Sequence, residues 1–376
     1  MKIIVVGSGI VGASTAYQLA QNNHQVILID KDQQGAATAA DAGIVCPWVS
    51  SHVQDDNWYQ IARRGALFYS HLIDQLKKDG EENVSYKTVG ALCVSSDSNE
   101  LDTIKKEVMA KYENAPEIGE IRRLSSQEAR ELFPPLNKNL EAVFISGGAR
   151  VDGRLLRDAM IRAAKKHGVE VLHGEASLIQ EQEAVTGITF QNQTIQADAV
   201  VAAAGAWTPH LLSPIGIDLK VDAQRGQIAH IALPNEDTSN WPVVLPRTTH
   251  YMLAFDDARI VAGATRETGS GFEYKTTAGG IHEVLTNALD VAPGLASGTI
   301  QEMRIGFRPM SPDGLPLLGT LDHVKGLVIA TGLGPSGLTM GPYIGALAAS
   351  IAEGKNVDID LTAYRPGRSR DKRIYI

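Results

Sequence analysis

An apolar run, Ile3-Ile4-Val5-Val6, passes directly into Gly7-Ser8-Gly9-Ile10-Val11-Gly12, and a second apolar run, Val26 to Ile29, ends on Asp30. Strand, glycine loop, helix, strand and acid in that order form the G-x-G-x-x-G fingerprint of a βαβ unit, with its acidic residue about twenty positions on. Gly7 permits a tight strand-to-helix turn, Gly9 lets the backbone approach a pyrophosphate, and Gly12 lets helix and strand pack with no side chain between them. The helix N-terminus offers free N–H groups and a partial positive charge to a diphosphate. Asp30 is placed to accept both hydroxyl hydrogens of an adenosine ribose.

A chain of 376 residues has room for about two domains with sizeable cores. Its 44% hydrophobic and 21% charged residues make an ordinary globular composition, and no apolar stretch reaches the length of a membrane span. The net charge of -8 argues against nucleic acid as a partner. Cys46 and Cys93 form no CxxC pair, which points away from a disulfide framework or a zinc site and towards a reducing, cytoplasmic compartment. None of the ten histidines has metal-ligand spacing such as HExxH, so no metal is expected.

Helical spacing runs from Tyr59 to Lys78 and stops at Gly80, and a capping box, Ser125-x-x-Glu128, opens a short helix that Pro134 and Pro135 end. From Asp152 the α/β style returns, with Leu155, Leu156, Ala159, Met160 and Ala163 on one helical face, a strand at Val169 to Leu172, and another at Ala199 to Ala204. Between Val221 and about Ile300 the segments alternate as strands of an antiparallel sheet, including Tyr251 to Phe255 and Arg259 to Ala262. The last part is α/β again, with a strand Gly326 to Ala330, a glycine loop, and a helix from about Gly341 to Glu353. The expected fold class is α/β plus α+β. Residues 1–85, 145–220 and 301–376 would form a discontinuous Rossmann-like nucleotide domain, and 86–144 and 221–300 a substrate domain on an antiparallel sheet.

That discontinuity argues against a nicotinamide-dependent dehydrogenase of simple layout, which would complete its sheet in one stretch. The late glycine loop, Thr331-Gly332-Leu333-Gly334-Pro335-Ser336-Gly337-Leu338-Thr339, makes sense if the cofactor carries a redox ring that becomes negative, because helix N-terminal N–H groups stabilise such charge. It is no nucleophile elbow, since G-x-S-x-G needs glycine where Leu338 stands. Upstream, Arg308 sits in Gly306-Phe307-Arg308-Pro309-Met310-Ser311-Pro312. An arginine in a stiff, proline-flanked turn is suited to hold a carboxylate by a planar bidentate pair.

With these motifs assembled, the chain resembles the D-amino acid oxidase family of FAD-dependent oxidoreductases, in the branch of glycine oxidase and bacterial D-amino acid dehydrogenase. The likeness runs nearly end to end: the GSGIVGAS opening, Thr38-Ala39-Ala40-Asp41-Ala42-Gly43, Gly148 to Leu155, Ala203-Ala204-Gly205-Ala206-Trp207, Arg225-Gly226-Gln227, Gly263-Ala264-Thr265-Arg266-Glu267, and the segments containing Arg308 and Gly334.

The resemblance implies that Gly7, Gly9, Ile10, Val11, Gly12 and Asp30 hold the ADP part of FAD, with Lys31 near the adenosine and Ser177 meeting the adenine through its backbone. Thr38, Ala39, Ala42, Gly43 and Ile44 would pass beside the flavin ring, Ala204, Gly205, Trp207 and Gly306 would line the cofactor, and Gly334, Pro335, Ser336, Gly337, Leu338 and Thr339 would face the pyrimidine end. Arg308 matches the arginine that binds the substrate carboxylate, and Tyr251 a tyrosine that assists it. Pro335 replaces a basic residue of glycine oxidase, and Asp41 stands where a neutral residue is usual. Met310 and Ser311 offer no cysteine of the kind that attaches FAD covalently in some relatives, so noncovalent FAD is expected.

The implied reaction is hydride transfer from Cα of a small D-amino acid, glycine or an N-methyl amino acid to flavin N5. The imino acid then hydrolyses to a 2-oxo acid and ammonia. Oxygen, a quinone or a protein would be the electron acceptor, a quinone-linked enzyme would sit peripherally at the membrane, and homo-oligomers are compatible with the sequence. The alternative is a flavin-bound subunit of a multi-component amino acid dehydrogenase.

Overall fold

The computed structural model describes residues 1–50, 52 and 54–368. Residues 369–376, which the sequence reading assigns to the nucleotide domain, lie outside the described residues.

The chain builds one large, mostly parallel sheet and a second, mostly antiparallel one. The nine-stranded sheet runs in the order Ala176–Glu181, Ala184–Phe190, Val324–Thr331, Ala199–Ala202, Lys2–Val6, Gln25–Asp30 and Glu170–His173, with Leu317–Leu321 and Gln193–Gln196 paired at its side. From Val324–Thr331 to Glu170–His173 every pairing is parallel. The strand Val324–Thr331 therefore lies beside the Ala199–Ala202 strand, more than a hundred residues earlier in the chain. Ile3, Val5, Leu28 and Val201 are fully buried on one face and Ile4, Ile29 and Val200 on the other, as a parallel sheet covered on both sides requires.

The helices Ile10–Gln21 and Gly337–Ala352 pack at backbone distance. A Cβ on Gly345 would stand 2.6 Å from Ser14 Cβ and from the Val11 carbonyl. Pro342 lies inside the second helix and lacks an N–H, so the Leu338 carbonyl loses its helical donor. The Tyr69 hydroxyl donates to that carbonyl at 2.6 Å, and Ser14 donates to the Pro342 carbonyl at 2.6 Å. This helix starts at Gly337, inside the glycine loop and earlier than its apolar pattern suggested. The helix Asp56–Lys78 is capped by Asp55, and the capping box of Ser125 and Glu128 is formed.

The eight-stranded sheet runs Thr299–Met310, Asp222–Ala232, Arg259–Gly263, Tyr251–Ala254, Val243–Pro246, Ala91–Ser95, Glu141–Ile145 and Ile121–Leu124. It is antiparallel except where Val243–Pro246 lies parallel to Ala91–Ser95. One face, with Ala229, Ile231, Ala262 and Met252, is covered by the helix Ala278–Val291 through Val284 and Ala288. The other face, with Ile228, Leu253 and Val261, packs against Ala42, Cys46 and Trp48 and against the helix Ser98–Tyr112 through Leu101, Ile104 and Val108.

The structure corrects the surroundings of Arg308. The expected stiff turn is the last third of a long strand, in which Arg308 pairs with Gln224 and Pro309 with Ala223. A sheet ladder holds the arginine, and the sequence boundary placed at 301 falls inside this strand. Alternation was hidden there because glycine, arginine and proline interrupt the apolar pattern of Ile305 and Phe307.

Candidate active site

One continuous cavity of about 310 Å³ extends from the end of the first two strands to the site face of the eight-stranded sheet. At its nucleotide end Gly7, Gly9, Ile10, Val11, Asp30, Lys31 and Ser177 contribute to the wall. Gly7 has φ +104°, and a Cβ there would stand 2.4 Å from the Ala203 carbonyl oxygen. Gly12 faces away from the cavity, and a Cβ on it would meet the Gly7 carbonyl at 1.8 Å. These two glycines keep the turn and the first helix in contact.

Dinucleotide chemistry fits the groups left over. The Ile10 N–H is taken by Thr38 Oγ1 at 3.0 Å, whereas those of Gly9 and Val11 have no hydrogen-bond acceptor among the described residues. Asp30 takes the Ser8 N–H on one carboxylate oxygen and the Asp32 N–H, at 2.6 Å, on the other. Each oxygen keeps a lone pair for a ribose hydroxyl. Lys31 pairs with Glu175 at 2.9 Å at the rim.

Midway, Ala204, Gly205, Trp207, Gly306, Gly334, Pro335, Gly337, Leu338 and Thr38 line the cavity. The Gly205 carbonyl accepts from the Thr208 and Thr331 hydroxyls, each at 2.8 Å, which fixes the turn after the strand. Trp207 stacks on Phe272 with centroids 4.8 Å apart. Gly306 brings its strand against Ala40, whose Cβ is 2.9 Å from where a Gly306 Cβ would be. Several expected cofactor residues stand behind this wall. Ala39 accepts from Arg154 at 2.8 Å, the Gly43 carbonyl accepts the Val151 N–H at 2.8 Å, and the Ile44 carbonyl accepts the Thr339 hydroxyl at 2.9 Å. Ala42 and Ser336 are buried there too.

At the far end Arg308, Tyr251 and Asp41 come together. Arg308 Nη1 donates to the Thr265 carbonyl at 2.9 Å and to Gln224 Oε1 at 3.3 Å, and its guanidinium covers Gly226, where a Cβ would stand 2.6 Å from Nη2. With Nη1 so held and the Tyr251 hydroxyl within reach of the guanidinium, the fork keeps its remaining donors for a ligand. Burial pushes the Tyr251 hydroxyl up to about 12, with Arg308 offsetting part of the rise. Burial likewise raises Asp41, against the opposing pull of Arg308 and of the backbone N–H groups of Gly43, Ala42 and Leu338. Gln224, Gly226 and Thr265 as anchors of Arg308 were not legible beforehand, because strand register decides which residues oppose one another.

On the other side of the same strand Arg225 is buried and bonds Glu267 at 2.6 Å, which also accepts from Gln227 at 2.6 Å and Thr265 at 2.8 Å. This network holds the segment that supplies the Thr265 carbonyl.

The family model described as FAD dependent oxidoreductase, DAO, matches residues 2–351. The chain is 49% identical over 364 residues to the uncharacterized oxidoreductase YurR of Bacillus subtilis (strain 168), covering 96% of this chain and 98% of that protein. The crystal structure of iminodiacetate oxidase (IdaA) from Chelativorans sp. BNC1 is similar with a TM-score of 0.94 and 45% identity, over 97% of this chain and 98% of that one. That of glycine oxidase from Geobacillus kaustophilus has a TM-score of 0.85 at 26% identity, over 98% of each chain. No helix among the described residues is long and apolar enough to cross a membrane. With a dinucleotide cradle at one end of its cavity, an anchored arginine at the other and the family's pattern over nearly its whole length, this chain belongs to the DAO family of FAD-dependent oxidoreductases.

Proposed function

We propose that this protein oxidises a small amino acid or N-substituted glycine at its Cα–N bond. The observation that carries this reading is Arg308, anchored through Nη1 and lining the cavity beside Tyr251. A carboxylate accepting from its remaining donors is gripped in a plane, and the Cα one bond away is then fixed in position and orientation. Tyr251 keeps its proton, because its hydroxyl is raised to about 12, and so acts as a donor to the same carboxylate. FAD, when bound, supplies the acceptor for the hydrogen and electron pair that leave Cα.

The substrate nitrogen gives up a proton before its lone pair can form the C=N bond, and Asp41, on the cavity wall near Arg308, is the carboxylate placed to hold it. Water then adds to the imine carbon and the amine departs, leaving a 2-oxo acid. The named relatives, an iminodiacetate oxidase and glycine oxidases, support dioxygen as final acceptor. Cys46 and Cys93 are both buried away from the cavity wall, which supports noncovalent FAD.

Anaerobic addition of glycine, sarcosine, iminodiacetate and D- and L-amino acids to the purified holoenzyme tests the reading. Bleaching of the flavin bands by at least one of them, lost in Arg308→Ala, is expected. Flavin bands unchanged by every amine would overturn it.

A further inference from the structure

Arg266 has no hydrogen-bond or ion-pair partner among the described residues, although it is only partly exposed. The flanking residues show where it points. Thr265 and Glu267 turn their side chains to the Gln227 and Arg225 network on one face of the sheet, and in extended chain the residue between them projects to the opposite face. That is the face of Arg308, whose Nη1 bonds the carbonyl immediately before Arg266. Burial and the charge of Arg308 both hold Arg266 below the ordinary arginine value, and Tyr251 is its other electrostatic neighbour in the site.

Arg308 lines the cavity and Arg266 lies beside it on the same face of the sheet; two like charges so placed repel, and nothing described nearby relieves Arg266. His52 and His250 face it, and burial together with its charge lowers both. Asp55 is occupied in capping the helix through the Trp58 N–H at 3.0 Å, and Glu283 lies 3.4 Å from His250. Asp41 lies with Arg308.

The geometry points to an amino or imino dicarboxylate as substrate, with one carboxylate on Arg308 and the second on Arg266. This rests on the amino acid reading above and narrows it. The charges match in either protonation state. Two arginines and an ionised Asp41 leave one positive charge, which a diacid bearing an ammonium balances. If the ammonium proton passes to Asp41, two positive charges face a ligand carrying two negative ones. A monocarboxylic amino acid such as glycine leaves Arg266 unpaired in both states. The second carboxylate is carried either on the nitrogen, as in iminodiacetate, or on the side chain, as in aspartate. The oxidation is the same in each case: Cα loses hydrogen with its electron pair to FAD, nitrogen loses a proton, and water cleaves the resulting C=N bond.

The test compares holoenzyme with Arg266→Gln and Arg266→Lys. Iminodiacetate and D- and L-aspartate are set against glycine, sarcosine and D-alanine as reductants, and oxydiacetate against methoxyacetate as unreactive ligands read by perturbation of the flavin spectrum. Expected is a preference for diacid over monoacid of about tenfold or more in kcat/KM and in Kd, falling by about tenfold in Arg266→Gln and partly restored in Arg266→Lys. Reduction by iminodiacetate but not aspartate, or the reverse, identifies which atom carries the second carboxylate. A wild-type enzyme that takes monoacids as well as diacids, with a ratio unmoved by Arg266→Gln, would overturn the second carboxylate site and leave the amino acid reading intact. If no amine bleaches the flavin, that reading falls. An Arg266-dependent preference for oxydiacetate then still sustains the dianion site, and the lack of one overturns it.

Discussion

The guanidinium of Arg308 lies flat on Gly226, the residue diagonal to it across the strand pair, with Nη2 2.6 Å from where a Cβ would project. Glycine is needed there for the sake of its neighbour. Gly226→Ala is expected to swing the guanidinium off the Thr265 carbonyl while the strand keeps its ladder. Steady-state kinetics would then show a KM for the amine raised about tenfold or more, with FAD content unchanged. An unaltered KM would show that Arg308 does not depend on this seat.

Arg308→Ala removes the planar fork itself. Loss of a desolvated charged pair costs about 2–5 kcal/mol, a factor of roughly thirty to several thousand in kcat/KM. Arg308→Lys should recover little, because an ammonium cannot satisfy Thr265, Gln224 and a carboxylate in one plane. Stopped-flow reduction measured against substrate concentration separates lost binding from slowed chemistry.

Gly7→Ala places a Cβ 2.4 Å from the Ala203 carbonyl oxygen at φ +104°. The strained backbone alone costs about 1–3 kcal/mol, and the clash pushes the first helix away from the sheet. The variant is expected to purify with less FAD and a lower Tm, both measurable on the same sample. Full FAD occupancy at wild-type Tm would contradict the role given to this turn.

Glu267 neutralises the buried Arg225. Burial raises its carboxyl, but the bonds from Arg225, Gln227 and Thr265 outweigh that and hold it below the usual 4.5. A depressed folded pKa contributes stability above the unfolded value, lost as pH falls through 4.5 and below. Glu267→Gln leaves buried Arg225 only the longer, 3.8 Å pairing with the exposed Glu273 and should cost about 3 kcal/mol at neutral pH. Its thermal melts should also lose part of the acid sensitivity seen in the wild type between pH 5 and 3, an order-of-magnitude window set by the carboxyl range.

The turn at Gly7, the close helix contact at Gly12 and the placing of Asp30 beside the loop were legible because each is set locally within one βαβ unit. Arg308 was legible as an isolated arginine among prolines, yet its support was misread, since a strand built of Gly306, Arg308 and Pro309 shows no alternation of apolar side chains. Arg266 stayed invisible as anything more than part of a motif. Its position follows from the bonding of Thr265 and Glu267 to a strand distant in sequence. Gly43 and Ile44 stood out beside the flavin loop, but the structure gives their carbonyls to Val151 and Thr339.

The strand Val324–Thr331 lies between Ala184–Phe190 and Ala199–Ala202, so a place in the interior of the larger sheet is filled by a segment that follows both of its neighbours by more than a hundred residues. Until it arrives, the nascent chain carries a gap with two unpaired strand edges, and the cavity lacks Ala330, Thr331 and the glycine loop that follow. Cofactor loading consequently waits for the segment from Val324 onward. A nick or premature stop ahead of Val324 would yield a protein that keeps the whole fingerprint and still cannot enclose its dinucleotide.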